Sequence, residues 1–95
     1  LVIKAKVPAT WRETIYRWIW GDDIASGENE HIAYRQGDWF VFAYEGKVLN
    51  IIYKNGEGWT GHPNQSEDLY VTRSGCYVLT QEGEEKAVFT QVDCK

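Results

Sequence analysis

The sequence predicts an all-β domain, an immunoglobulin-like β-sandwich of about seven to eight strands. Three observations carry this. Short runs of β-branched and aromatic residues recur along the chain, separated by Gly, Asn, Asp and Ser. No helical periodicity lasts two turns. The chain has 95 residues, enough for one domain and too few for two. There is no internal repeat or low-complexity stretch.

Seven strands are expected, near 2–7, 14–20, 38–44, 47–54, 68–73, 76–80 and 86–92. The first is Leu1-Val2-Ile3-Lys4-Ala5-Lys6-Val7, which reads directly as a strand. The chain is therefore expected to be a single module, residues 1–95, trimmed from a longer protein. Trp11 follows Pro8-Ala9-Thr10 and is expected to plug one end of the sandwich. The run Asp38-Trp39-Phe40-Val41-Phe42-Ala43-Tyr44 is a strong strand whose Trp39 should pack in the core or on the sheet. Glu45-Gly46 suggests a tight hairpin to the next strand, and Gln81-Glu82-Gly83-Glu84 suggests the connection between the last two. Segments 21–30 and 55–67 read as polar loops.

Composition narrows the function classes. Ten basic and 14 acidic residues give a net charge of -4, which disfavours nucleic acid as a partner. No apolar run approaches the roughly 18 residues that cross a bilayer. Five Trp, six Tyr and three Phe make 15% of the chain aromatic. That is more than a core of this size comfortably buries, so several rings should be exposed, as recognition surfaces require. Cys76 and Cys94 read as a disulfide between a mid-domain strand and the last strand, the alternative being two buried thiols. A disulfide would imply an oxidising, extracellular or cell-surface location.

The most informative segment is Thr14-Ile15-Tyr16-Arg17-Trp18-Ile19-Trp20. Strand side chains alternate between faces, so Tyr16, Trp18 and Trp20 share one face and Ile15, Arg17 and Ile19 the other. The isoleucines mark the second face as the core. Arg17 then falls on the core face, where it must snorkel to an edge or sit at a bulge. Alternate residues lie roughly 6.5–7 Å apart, which lets adjacent rings form a flat shelf. An aromatic face meets the C–H faces of a sugar ring well, and two non-coplanar tryptophans suit a curved α-1,4-glucan. Packing of this face against the second sheet is the competing reading.

A second feature is the loop Asn55-Gly56-Glu57-Gly58-Trp59-Thr60-Gly61-His62-Pro63-Asn64-Gln65. Trp59, among three glycines and outside any strand, is a candidate exposed platform or a lid over the sandwich end. Lys54, Asn55, Asn64 and Gln65 are neighbouring groups able to bond sugar hydroxyls, although each taken singly reads as a solvated or turn-forming residue before a ligand contact.

Four segments resemble the starch-binding carbohydrate-binding modules grouped as family 26, of the type found beside amylases of gut bacteria. They are Lys4 to Trp11, Tyr16-Arg17-Trp18-Ile19-Trp20-Gly21-Asp22, Gly37-Asp38-Trp39-Phe40-Val41-Phe42, and Leu49-Asn50-Ile51-Ile52-Tyr53-Lys54-Asn55-Gly56 through Asn64-Gln65-Ser66-Glu67-Asp68-Leu69. Cys76 and Val92-Asp93-Cys94 match the cysteine-bearing variants. The resemblance implies non-catalytic binding of α-glucan, with Trp18 and Trp20 as stacking platforms, Tyr16 beside them and Gln65 as a polar contact. It also implies tethering to a glycoside hydrolase or a surface starch-capture protein. Many members carry a Trp-Pro-Gly before the third strand where this chain has Asn29-Glu30-His31. Either Trp59 supplies that ring or the site is smaller. The alternative reading is an Ig-like structural or protein-interaction domain.

Other chemistries are weaker. Asp22, Asp23, Glu28, Glu30, Glu82, Glu84 and Glu85 lie on polar loops rather than as a facing pair in a rigid cleft. The 22–30 spacing matches no known calcium loop. His31 and His62 do not complete a metal site when both cysteines are bridged. No cofactor, metal or catalytic activity is expected.

Overall fold

The computed structural model describes residues 1–21, 30–56 and 64–94. Among them are nine strands: β1 (Val2–Lys6), β2 (Tyr16–Trp20), β3 (Glu30–Ile32), β4 (Tyr34–Gln36), β5 (Trp39–Ala43), β6 (Leu49–Lys54), β7 (Leu69–Val71), β8 (Gly75–Thr80) and β9 (Val88–Val92). They form two sheets, one of five strands in the order β4-β5-β1-β8-β9 and one of four in the order β3-β2-β6-β7. The architecture is a β-sandwich. All seven expected strands are present, together with β3 and β4, each three residues long.

The two additional strands sit at sheet edges, where each has a neighbouring strand on one side only. Their residues are therefore largely exposed and carry no apolar alternation to read. Between them only Ala33 is buried, and its N–H donates to the Ile15 carbonyl at 2.7 Å. There the chain leaves one sheet and enters the other. β4 and β5 form a two-residue hairpin with Gln36 opposite Trp39. Gly37, at φ 66°, supplies the left-handed first loop position that such a turn needs.

The expectation of a hairpin at Glu45-Gly46 is corrected. β5 belongs to the five-stranded sheet and β6 to the four-stranded one, so this segment crosses between sheets. Tyr44 packs against the core and stacks near Phe42, with centroids 6.2 Å apart. A Cβ at Gly46 would overlap the Tyr44 ring, so the glycine lets the crossing chain pass close to it. A short polar-glycine loop looks alike whether it returns to the same sheet or climbs to the next. Gln81 to Glu84 does lie between the paired last strands β8 and β9.

The core forms where alternate residues of both sheets meet. Ile3, Ala5, Phe40 and Leu79 come from the larger sheet, and Ile19, Leu49, Ile51 and Val71 from the smaller. Each large aliphatic buried here stabilises the fold by about 1.5–3 kcal/mol. Trp11 joins this core, 8% exposed, and its indole N–H donates to Gln81 Oε1 at 2.9 Å. A buried indole needs such a partner. Cys76 and Cys94 form a disulfide with Cα atoms 5.4 Å apart.

Candidate functional site

The β2–β6 register is regular over five residues, from Tyr16 opposite Lys54 to Trp20 opposite Asn50. No bulge interrupts it, so the alternation along β2 holds. Ile19 is buried in the core, and Tyr16, Trp18 and Trp20 point the other way, each partly exposed and none belonging to the buried core. The three rings thus stand on the outer face of the four-stranded sheet. Packing of this face against the second sheet, the competing reading of this strand, is not what occurs.

Pairing across the sheet assembles the rest of the face, since directly opposite residues project to the same side. Tyr16 is flanked by Ile32 and Lys54, Trp18 by Glu30 and Ile52, and Trp20 by Asn50. Beyond Asn50 stands Tyr70, 61% exposed. Beyond Lys54 stands Gln65, joined to it by an isolated antiparallel bridge. The Gln65 backbone is held from its other side as well, its carbonyl accepting from the Ala87 N–H at 3.0 Å. Buried Ser66 completes this anchorage: its Oγ accepts from the Tyr53 N–H at 3.0 Å and donates to the Glu67 carbonyl at 2.9 Å.

Lys54 is not offered to solvent. It is 1% exposed, its Nζ pairs with Glu30 Oε1 at 2.8 Å and lies 5.9 Å from the centroid of the Trp18 ring. A lysine withdrawn from water needs such a partner. The ion pair spans β2, tying edge strand β3 to β6 with Trp18 between them. The Asn55 side chain is likewise engaged, Oδ1 accepting from the Arg12 N–H at 2.7 Å. Asn64 meets Asn55 through the backbone, its carbonyl accepting from the Asn55 N–H at 2.8 Å. Of the residues singled out in the sequence, Tyr16, Trp18, Trp20, Lys54 and Gln65 share the face, while Asn55 and Asn64 brace the adjoining loop ends. Trp59 lies outside the described residues, as do Asp22, Asp23, Glu28 and His62.

Sequence reasoning missed Tyr70 and Asn50 as members of this face. Both lie on expected strands, but only the pairing of β7 to β6 and of β6 to β2 places them in one row with Trp20. Arg17 does lie on the inner side. Its guanidinium extends to 4.3 Å from the Phe42 ring, and burial lowers its pKa while the neighbouring Tyr53 acts in the opposite direction. Among the described residues no three His, Cys, Asp or Glu side chains gather as a metal site.

The face therefore offers three aromatic rings in a line along one strand. Amide and phenol groups of Asn50, Gln65 and Tyr70 stand beside them, and a charge pair is tucked beneath. Such a surface can stack on flat apolar faces and bond to hydroxyls around them. Comparison of the chain with protein-family models, curated proteins and solved structures returns no match.

Proposed function

We propose that this domain is a non-catalytic binding module for starch-type α-1,4-glucan, of the family 26 kind that its sequence resembles. The observation that carries the reading is the placement of Tyr16, Trp18 and Trp20 together on the solvent side of β2, with Ile15 and Ile19 buried. In this reading Trp18 and Trp20 stack on successive glucose units, and Tyr16 extends the shelf. Gln65 bonds to hydroxyls at the sugar rim. Lys54 acts from below, holding Glu30 and the ring of Trp18 in place. Trp59 is the candidate for a further ring from the 55–67 loop.

In this reading binding by one module is weak, and affinity rises when several modules or an attached enzyme share a chain. The Cys76–Cys94 disulfide fits an oxidising, extracellular or cell-surface setting. The test is native electrophoresis with and without embedded amylopectin. The wild type is retarded, and Trp18→Ala and Trp20→Ala run freely with their fold intact. Loss of retardation in Trp59→Ala places the additional platform in the 55–67 loop. A wild type that ignores amylopectin and maltoheptaose turns the reading to the alternative, a structural or protein-interaction domain of a secreted enzyme.

A further inference from the structure

Where β6 ends, the chain runs Lys54-Asn55-Gly56. Asn55 is held at two points. Its Oδ1 accepts from the Arg12 N–H at 2.7 Å, and its backbone N–H donates to the Asn64 carbonyl at 2.8 Å. The Arg12 side chain reaches over the following residue. Its Nη1 lies 3.0 Å, and its Cζ 3.8 Å, from the position a Cβ would take on Gly56. Among the described residues no acceptor meets the Gly56 N–H or the side-chain NH2 of Asn55.

These are the parts of an internal displacement. The backbone nitrogen after an asparagine can attack that side chain's carbonyl carbon and close a five-membered ring. Glycine has no side chain to hinder the approach of its nitrogen. The Arg12 N–H already holds the oxygen that gains negative charge as the nitrogen adds, as an oxyanion donor does. The Arg12 guanidinium favours the ionised form of the neighbouring Gly56 nitrogen, because an opposite charge stabilises an anion. The other described asparagines lack this setting. Asn50 is followed by Ile51, which is β-branched and buried, and Asn64 by Gln65.

We propose that Asn55 is a self-modification site, at which the folded domain converts asparagine to aspartate and isoaspartate. Hydroxide removes the Gly56 N–H proton, and the nitrogen bonds to Asn55 Cγ. The Cγ–Nδ2 bond breaks, and that nitrogen takes a proton from water and leaves as ammonia. The ring so formed is a succinimide. Water opens it at Cγ to give aspartate, or at the main-chain carbonyl to give isoaspartate, with the chain then running through Cγ. Nothing is oxidised or reduced, and each ammonia released consumes a water. Either product places a negative charge next to Lys54 in the chain. Isoaspartate also lengthens the main chain by a carbon where β6 leaves the sheet. The site does not depend on what the aromatic face binds.

The test is incubation of the domain at mildly alkaline pH, in native buffer and in denaturant. Isoelectric focusing reads the added charge, peptide mass mapping locates it, and isoaspartyl methyltransferase detects the isoaspartate form. Wild type, Asn55→Gln and Arg12→Gln are compared. In native buffer the wild type should gain an acidic band that maps to Asn55, forms faster as pH rises and is absent from Asn55→Gln. Native Arg12→Gln should form it about fivefold more slowly, the factor for a unit charge at roughly 4 Å in water. In denaturant Arg12 stands 43 residues from Asn55 in the chain, so wild type and Arg12→Gln should convert alike. A native wild type whose Asn55 stays intact for as long as the denatured chain takes to convert overturns the proposal. So does an acidic band that maps to Asn50 or Asn64 instead. Equal native rates in wild type and Arg12→Gln overturn the part given to the guanidinium.

Discussion

The two outer faces of the sandwich both carry tryptophan and use it differently. On the five-stranded sheet Trp39 stands in β5, and the Lys6 ammonium lies 4.5 Å from the centre of its ring. Beside it the register places Tyr34, Val41, Lys4 and Cys76 in one row across the sheet. The disulfide to Cys94 also lies against this sheet. On the four-stranded sheet three rings follow one another along β2, and the nearby lysine lies beneath the surface, paired to Glu30. A single ring beneath a cation is a stabilised piece of surface. On β2 three partly exposed rings follow one another, and the lysine of their face is buried against Glu30. An aromatic count does not distinguish the two faces; the placement of the cations does.

The sharpest way to break this comparison is to remove one ring from each face. Trp18→Ala or Trp20→Ala should abolish measurable retardation in amylopectin gels, with circular dichroism unchanged. Trp39→Ala should leave retardation as in the wild type. If Trp39→Ala alone abolishes binding, the ligand lies on the other sheet.

The next effect is on stability. Cys94→Ser opens the bridge to Cys76, 18 residues away in sequence, and should cost on the order of 3 kcal/mol in urea unfolding. Its folded fraction should still bind amylopectin, because the bridge belongs to the opposite sheet. Joint loss of stability and of binding in the folded fraction would couple the two faces.

A smaller cost, about 1–3 kcal/mol, is expected for Glu30→Gln, which leaves the Lys54 ammonium without its carboxylate. Glu30 is partly exposed, which keeps this below the loss for a fully buried pair. Binding should weaken only in part, as Trp18 loses support and not its ring. A Glu30→Gln protein as stable as the wild type would show that the ion pair does not organise this face. The smallest effect is expected for Tyr70→Ala. This ring sits two strands from Trp20 and is already 61% exposed, so stability should change by less than about 0.5 kcal/mol. Weakened maltoheptaose binding, read by tryptophan fluorescence, would extend the shelf across the sheet; unchanged binding would confine it to β2.

Most of the fold was legible because seven strands carry apolar alternation long enough to read. The two edge strands were not, since Glu30-His31-Ile32 and Tyr34-Arg35-Gln36 face water on most sides and have no core pattern. Of the site, the alternation of Tyr16, Trp18 and Trp20 against Ile15 and Ile19 was fully legible. The status of Lys54 was not. A lysine in a strand looks the same whether it reaches a ligand or a glutamate from a distant segment.

By itself, the sequence determined the class of fold, the faces of β2 and the pairing partners for a disulfide. These depend on side-chain period and on which residues can bond, both local properties. Tertiary structure alone decided that β5 and β6 belong to different sheets and that Asn50, Gln65 and Tyr70 join the tryptophans on one face. It also decided that Lys54 is buried against Glu30 on that face and that Tyr53 and Arg17 line one crevice. Each of these depends on strand pairing between segments far apart in the chain. Pairing is set by the packing of the whole core, and no single segment carries that information.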